Sequence, residues 1–271
     1  MFLKALLNSL FHLKQNGQMD KVIIRTTRFC LYFLSIAAAL VSCVNDKTIG
    51  NRSETSDDEI GKKAISLYYE GNYAESIKLL SYSIEEHPRV AELRFWQAKN
   101  FAAINEFQSA IDSYSGAISI DSNKAKYFNN RGLVYLAIGS HNAAESDFRK
   151  AIELDSLMPE VMNNMGLLYS EKGEYYKAIN EFSNALRIEP MTETYLYNRA
   201  VNYINAGEFF KAIDDFNQVI ELNDQNGNAF LYRGVSRYQT DQINLACDDF
   251  AMARSLNIDD AKEYLEHCKD F

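Results

Sequence analysis

From Asp57 onward, small and large apolar residues recur with a fixed step of 34 positions. Frames opening at Asp57, Ala91, Ala125, Pro159, Glu193 and Gly227 bring like residues into the same columns, and the last frame closes at Asp260 with no insertion. The eighth column reads Ala64, Ala98, Gly132, Gly166, Ala200 and Gly234, and the twentieth reads Ser76, Ala110, Ala144, Ala178, Ala212 and Ala246. The twenty-fourth is large, with Leu80, Tyr114, Phe148, Phe182, Phe216 and Phe250, and the twenty-seventh is small again, from Ser83 and Ala117 to Ala253. Columns three and four apart share one face of a helix, so each frame predicts two amphipathic helices. Small residues allow two helices to approach closely, and large ones such as Tyr135 with Phe148 or Tyr169 with Phe182 fill the space beside that contact. Between the two helices falls a glycine in four frames, Gly71, Gly139, Gly173 and Gly207, as a left-handed helix end requires.

A helix–turn–helix unit of this length, repeated in register, resembles the tetratricopeptide repeat. The resemblance covers residues 57–260 and implies an all-α, right-handed solenoid of six units. Residues 261–271, AKEYLEHCKDF, continue the first-helix pattern and read as a capping helix, for thirteen helices in all. The outer frames depart from the pattern. The first has Ser76 and Ser83 in small columns with Leu67 and Leu80 in aromatic ones, and the sixth has Arg237 and Asp241 where its neighbours have Tyr and Gly. Terminal repeats have a neighbour on one side only, which permits such departures.

Composition agrees. The chain has 271 residues but only 3 prolines, where average usage would give about 14. Pro88, Pro159 and Pro190 all fall at joins between frames, and none lies in a predicted helix interior, where each would cost about 3 kcal/mol.

The first 42 residues have a different character. Lys4, Lys14, Lys21, Arg25 and Arg28 against Asp20 give them a net +4, so the formal −9 of the whole chain leaves −13 on the rest. An uncharged apolar run, Phe29–Val41, ends in Leu40-Val41-Ser42-Cys43. Its 13 residues suit a signal-peptide core and fall short of the roughly 20 that span a bilayer. Small residues followed directly by cysteine resemble the lipobox of bacterial lipoproteins. That resemblance makes residues 1–42 a signal peptide, with Met19 a more compact start than Met1, and makes Cys43 the lipidated residue. Residues 43–56 are polar and read as a tether. An uncleaved anchor or an ordinary signal stands as the alternative. The implied location is the bacterial envelope, taken as the outer membrane with the leaflet open.

Candidate chemistry is sparse. The four histidines His12, His87, His141 and His267 form no constellation, and no metallohydrolase, nucleophile-elbow, phosphate-loop or dinucleotide pattern occurs. The chain is therefore expected to be no enzyme, with no cofactor and no metal. Acidic pairs such as Asp214-Asp215 and Asp248-Asp249 read as solvated faces. The negative charge disfavours nucleic acid. Cys247 and Cys268 fall on helices that the repeat architecture places side by side, so a disulfide and two small buried thiols are both open.

In the family, partners lie along the concave surface lined by the first helices. Carried over by column, that groove holds Phe95 and Trp96, Asn129 and Asn130, Asn163 and Asn164, Tyr197 and Asn198, and Tyr232, beside Glu92, Lys99 and Lys126. Asn donates and accepts at once, as a peptide backbone requires, and Tyr and Trp offer wide contact with a polar handle. Trp96 has packing between the first two units as an alternative role, and Asn in the sixth column has local hydrogen bonding. No triple of units reproduces the carboxylate clamp of chaperone-binding relatives. The reading is a lipid-anchored envelope scaffold for a protein or peptide segment, with basic or neutral partners expected. A pilotin-like assembly chaperone and a glycan-binding accessory protein are the alternatives.

Overall fold

A computed structural model describes residues 56–268, with side chains from Ile60 on. The signal peptide, Cys43 and nearly all of the tether lie outside the described residues. Among the described residues every regular element is a helix. These are α1 (Ser56–Tyr69), α2 (Tyr73–Glu86), α3 (Ala91–Ala103), α4 (Phe107–Ile120), α5 (Ala125–Ala137), α6 (His141–Leu154), α7 (Pro159–Glu171), α8 (Tyr175–Ile188), α9 (Glu193–Asn205), α10 (Phe209–Leu222), α11 (Gly227–Gln239), α12 (Ile243–Ser255) and α13 (Ala261–His267). The first helices α3, α5, α7, α9 and α11 open on the first residues of their frames. The fold is that of the α-solenoid class. None of these helices is long and apolar enough to cross a membrane.

The described residues form two compact bodies, one up to Asn164 and one from Met165 on. In the first, Gly132 lies so close to Phe148 that a Cβ there would stand 2.7 Å from the ring. In the second, Gly166 against Phe182 and Gly234 against Phe250 repeat the contact at 2.6 Å. At these three positions a Cβ would force the facing ring to shift, while Phe216, whose column partner is Ala200, is wholly buried as Phe148 and Phe182 are.

Each hairpin turn uses one residue in the left-handed region. Gly71, Gly139, Gly173 and Gly207 take φ values of 72–79°. Asn105 and Asp241 occupy the equivalent turn positions with φ of 62° and 60°. The departure at Asp241 therefore changes the residue and not the turn, because an Asx side chain tolerates this conformation better than most. The turn closes with paired bonds, as where Gly139 N donates to Leu136 O (2.9 Å) and Ser140 N to Tyr135 O (2.8 Å).

A polar spine runs beside the apolar core, and it overturns the solvated reading of the acidic pairs. In the first body Arg131 grips Asp147 through Nε and Nη2, both at 2.8 Å, while its Nη1 donates to Ser115 at 2.8 Å. The second body repeats this sixteen residues apart, with Arg199 on Asp215 and Ser183, and Arg233 on Asp249 and Asn217. Arg237 adds a second guanidinium to Asp249. Asp215 and Asp249 are buried, whereas Asp214 and Asp248 are exposed. Neighbours on a helix point about 100° apart, so an acidic pair has one member on each face. Burial pushes the Asp215 carboxyl up and Arg199 pulls against it.

Candidate partner-binding face of the first helices

In the first body the sequence-predicted residues come together, but mostly below the surface. Phe95 and Trp96 are only 3 % and 8 % exposed. Trp96 meets Tyr68 of α1 edge-on, with centroids 5.7 Å apart, and Phe95 of its own helix at 5.8 Å. Phe95 in turn lies 5.1 Å from Tyr127 of α5. Both rings are therefore wall and core between neighbouring hairpins, not free contact area. The cause is column five and six geometry in a body where Tyr68 and Tyr69 of α1 pack on Trp96, and Tyr114 of α4 and Tyr127 of α5 pack on Phe95.

The amides are also largely committed. Asn164 Nδ2 donates to Asn129 Oδ1 at 2.9 Å, and Asn163 Nδ2 reaches Asn164 Oδ1 at 3.5 Å. These three side chains are buried. Asn130, half-buried, turns its Nδ2 back to the Lys126 carbonyl at 2.8 Å. The local hydrogen-bonding role of column-six asparagine is thus what Asn130 performs.

One cluster in this body was not assembled from the sequence. The Glu92 carboxylate accepts from Trp96 Nε1 (3.1 Å), Lys126 Nζ (3.0 Å) and Tyr127 Oη (3.1 Å). Lys126 also stands over the Phe95 ring at 4.8 Å, and Lys99 over Trp96 at 4.4 Å. Burial, reinforced by Glu92, pushes the Tyr127 hydroxyl far above its usual range, so it stays a donor. Tyr127 lies in column three, outside the columns assigned to the groove, and no spacing rule would have named it.

The second body holds Tyr197, Asn198 and Tyr232, all half-buried. Tyr197 meets Phe216 edge-on at 5.8 Å and Tyr232 at 6.2 Å, while Phe216 and Tyr232 stack at 6.2 Å with 18° between planes. Burial, with Tyr232 adding to it, raises the Tyr197 hydroxyl well above its usual range. Asn202 Nδ2 donates to the Asn198 carbonyl at 2.9 Å, and the buried Asn202 Oδ1 has no hydrogen-bond partner among the described residues. This face offers aromatic area and amide groups together. At the far end of this body Cys247 and Cys268 are joined by a disulfide across α12 and the end of α13. Among the described residues no group of three or more His, Cys, Asp or Glu could hold a metal ion.

Tetratricopeptide-repeat profiles match residues 62–125, 125–156, 159–190 and 194–226. The chain belongs to the tetratricopeptide-repeat family. The profiles stop short of α11 and α12, where Arg237 and Asp241 depart from the repeat pattern. Among curated proteins none matches. Solved structures do match, at sequence identities that speak for the fold alone. Pseudomonas aeruginosa PilF shares 19 % identity with a TM-score of 0.69, over 78 % of this chain and 97 % of that one. PilW, described as a widely conserved type IV pilus biogenesis factor, shares 15 % identity with a TM-score of 0.68, over 75 % of this chain and 94 % of that one. A tetratricopeptide repeat protein from Parabacteroides merdae shares 16 % identity with a TM-score of 0.58, over 99 % of both chains.

Proposed function

We propose that this tetratricopeptide-repeat protein is a lipid-anchored scaffold of the bacterial envelope that holds a protein or peptide segment on its first-helix face. The observation that carries the reading is the face in the second body, where Tyr197 and Tyr232 pack on Phe216 and, with Asn198, stay half-buried. Aromatic rings with polar tips supply contact area at modest entropy cost, and amides match the donors and acceptors of an extended backbone. Anchoring rests on the lipobox-like Leu40–Cys43. Several acyl chains on Cys43 give a stable membrane hold, whereas one gives a marginal one.

The binding half is tested by crosslinking the full chain in intact cells. Asn198→Ala with Tyr232→Ala removes two half-buried groups of this face while sparing the buried Asn129–Asn164 pair. Loss of specific crosslinks, with helix content kept, supports the face. Unchanged crosslinks would exclude it. The anchoring half is tested by mass analysis of the mature N-terminus, where a diacylglyceryl group on Cys43, lost in Cys43→Ser, is expected.

A second reading narrows the role to assembly of a pilus or secretion ring. It rests on the structural likeness to PilF and PilW, the latter described as a pilus biogenesis factor. Recovery of a ring-forming outer-membrane protein in the same crosslinks supports it, and recovery of other partners alone excludes it.

A further inference from the structure

The Glu92 cluster is built like a receptor with its ligand in place. Three donors from three residues converge on one carboxylate, and they differ in kind from the acceptor they hold. Trp96 and Tyr127 are buried, at 8 % and 2 % exposure, and their rings are clamped by Phe95 and Tyr68. Their N–H and O–H groups have Glu92 as acceptor, and a buried donor without an acceptor costs about 1–3 kcal/mol. The site therefore demands an acceptor at all times. Glu92 itself is half-open, with 45 % of its side chain exposed, and Lys126 has 33 %. An exposed ion pair of this sort contributes little by itself, about 0–1 kcal/mol. Two of the donors stand on buried rings, whereas the acceptor stands half-exposed at the surface. Lys99 over Trp96 and Lys126 over Phe95 add positive field to the same patch.

We propose that Trp96, Lys126 and Tyr127 form a carboxylate-recognition site on the first-helix face of α3 and α5. Glu92 is its resident occupant, and an Asp or Glu side chain of the bound segment takes its place. This rests on the reading of the first-helix face as the partner site, and it assigns that partner an acidic residue. It runs against the net negative charge of the chain, which by itself predicts basic or neutral partners. The local arrangement decides, because screening confines charge effects to about 10 Å: Trp96, Lys126 and Tyr127 donate to the carboxylate directly, whereas the other acidic group acting on Tyr127, Asp121, does so only through its field. When Glu92 leaves, its carboxylate goes to water and the incoming one inherits the same three bonds, so the exchange is close to balanced and is tipped by contacts elsewhere on the segment.

Trp96 is the only tryptophan of the chain, and its N–H belongs to the site, so its emission reports occupancy directly. The full-length protein in detergent, carrying Glu92→Ala, is titrated with the blocked tripeptide acetyl-Gly-Glu-Gly-amide. The expected result is a saturable change in Trp96 emission with a dissociation constant of about 1–10 mM. It should be at least tenfold weaker in the native protein, where Glu92 competes, and at least tenfold weaker when Lys126→Met is added. Acetyl-Gly-Gln-Gly-amide and sodium chloride at matched ionic strength should give no saturable change. Equal responses to the Glu and Gln tripeptides, or a response only to acetyl-triglycine with a free carboxyl end, would overturn the assignment. Should Glu92→Ala lose helix content, Glu92→Asp keeps a carboxylate one methylene too short for all three donors. It should then bind the Glu tripeptide more tightly than the native protein, and equal binding overturns the proposal. The titration uses no partner protein, so it can fail while capture by the first-helix face stands, and succeed while that capture fails.

Discussion

Arg199 and Asp215 are joined by two parallel bonds, Nε to Oδ2 and Nη2 to Oδ1, both at 2.8 Å. The aspartate is 3 % exposed and stands on α10, while the arginine stands on α9 and reaches back to Ser183 of α8. One guanidinium thus ties three successive helices. A bidentate pair has the geometry that lets Coulomb attraction offset desolvation. Removing one partner leaves the other buried and alone. Arg199→Met is expected to destabilise the second body by about 3–5 kcal/mol. The double variant Arg199→Met with Asp215→Leu should recover most of that loss, because a buried ion pair replaced whole by apolar groups is often neutral. Urea unfolding of the two variants measures the difference.

The disulfide makes a separate prediction for the end of the chain. Cys247 and Cys268 are 21 positions apart, and closing a loop of that size stabilises by about 3 kcal/mol in the chain-entropy account. Cys268→Ser should lower the stability of the last hairpin and α13 by that order. Hydrogen exchange should show faster opening of α13 and α12, with α9 and α10 little changed. Uniform loss of protection along the second body would contradict a local staple.

How far the residues alone foretell this structure depends on which interactions repeat. The helix count, the turns and the eighth-column contacts follow from a 34-residue period that six frames express at once, and the described helices keep that period. Apolar periodicity reports burial well because every apolar residue on one face is driven the same way. Polar residues carry no such one-way signal. Asp214 and Asp215 look alike in sequence, yet one is exposed and the other pairs with an arginine sixteen positions earlier. The Glu92 cluster was hidden for the same reason, since Tyr127 sits in a column whose other members, such as Tyr195, serve packing. Phe95 and Trp96 fall in groove columns, but their exposure depends on the neighbouring helices: Tyr68 and Tyr69 of α1 pack on Trp96, and Tyr114 of α4 and Tyr127 of α5 pack on Phe95. Column position fixes the direction of a side chain and leaves open what the neighbouring helix places over it.

Tyr264 gives α13 an alkaline limit. Its ring stacks on Phe250 with centroids 4.8 Å apart and 23° between planes. Burial, aided by Asp260 and Glu263, pushes its hydroxyl up to about 12 from an ordinary 10. The folded state thus favours the protonated phenol. Its contribution is fully present below pH 10 and is lost as pH rises from 10 through 12. The loss amounts to about 3 kcal/mol at complete ionisation, from roughly 1.4 kcal/mol per unit. Ultraviolet titration at constant disulfide content should show a tyrosine ionising near pH 12 that disappears in Tyr264→Phe. A Tyr264→Phe protein whose α13 still opens over that interval would assign the limit to another group.

Asp241 offers the opposite kind of test, a substitution expected to stabilise. Its φ of 60° places it in the left-handed region, where a residue with a Cβ loses about 1 kcal/mol relative to glycine, less for Asx. Its side chain is exposed, and four equivalent turns already use glycine. The turn bonds run through the backbone, from Asp241 N to Tyr238 O (3.3 Å) and from Gln242 N to Arg237 O (2.9 Å), so they survive the change. Opposing this gain, glycine widens the unfolded ensemble. Asp241→Gly should therefore raise stability by about 0.5 kcal/mol, read as a small upward shift in the thermal midpoint. Asp241→Val, which is β-branched and strained at positive φ, should lower it by about 1 kcal/mol or more. The sign difference between the two variants is the decisive measurement. If both lower stability equally, the interaction that Asp241 makes outweighs the relief of strain at positive φ.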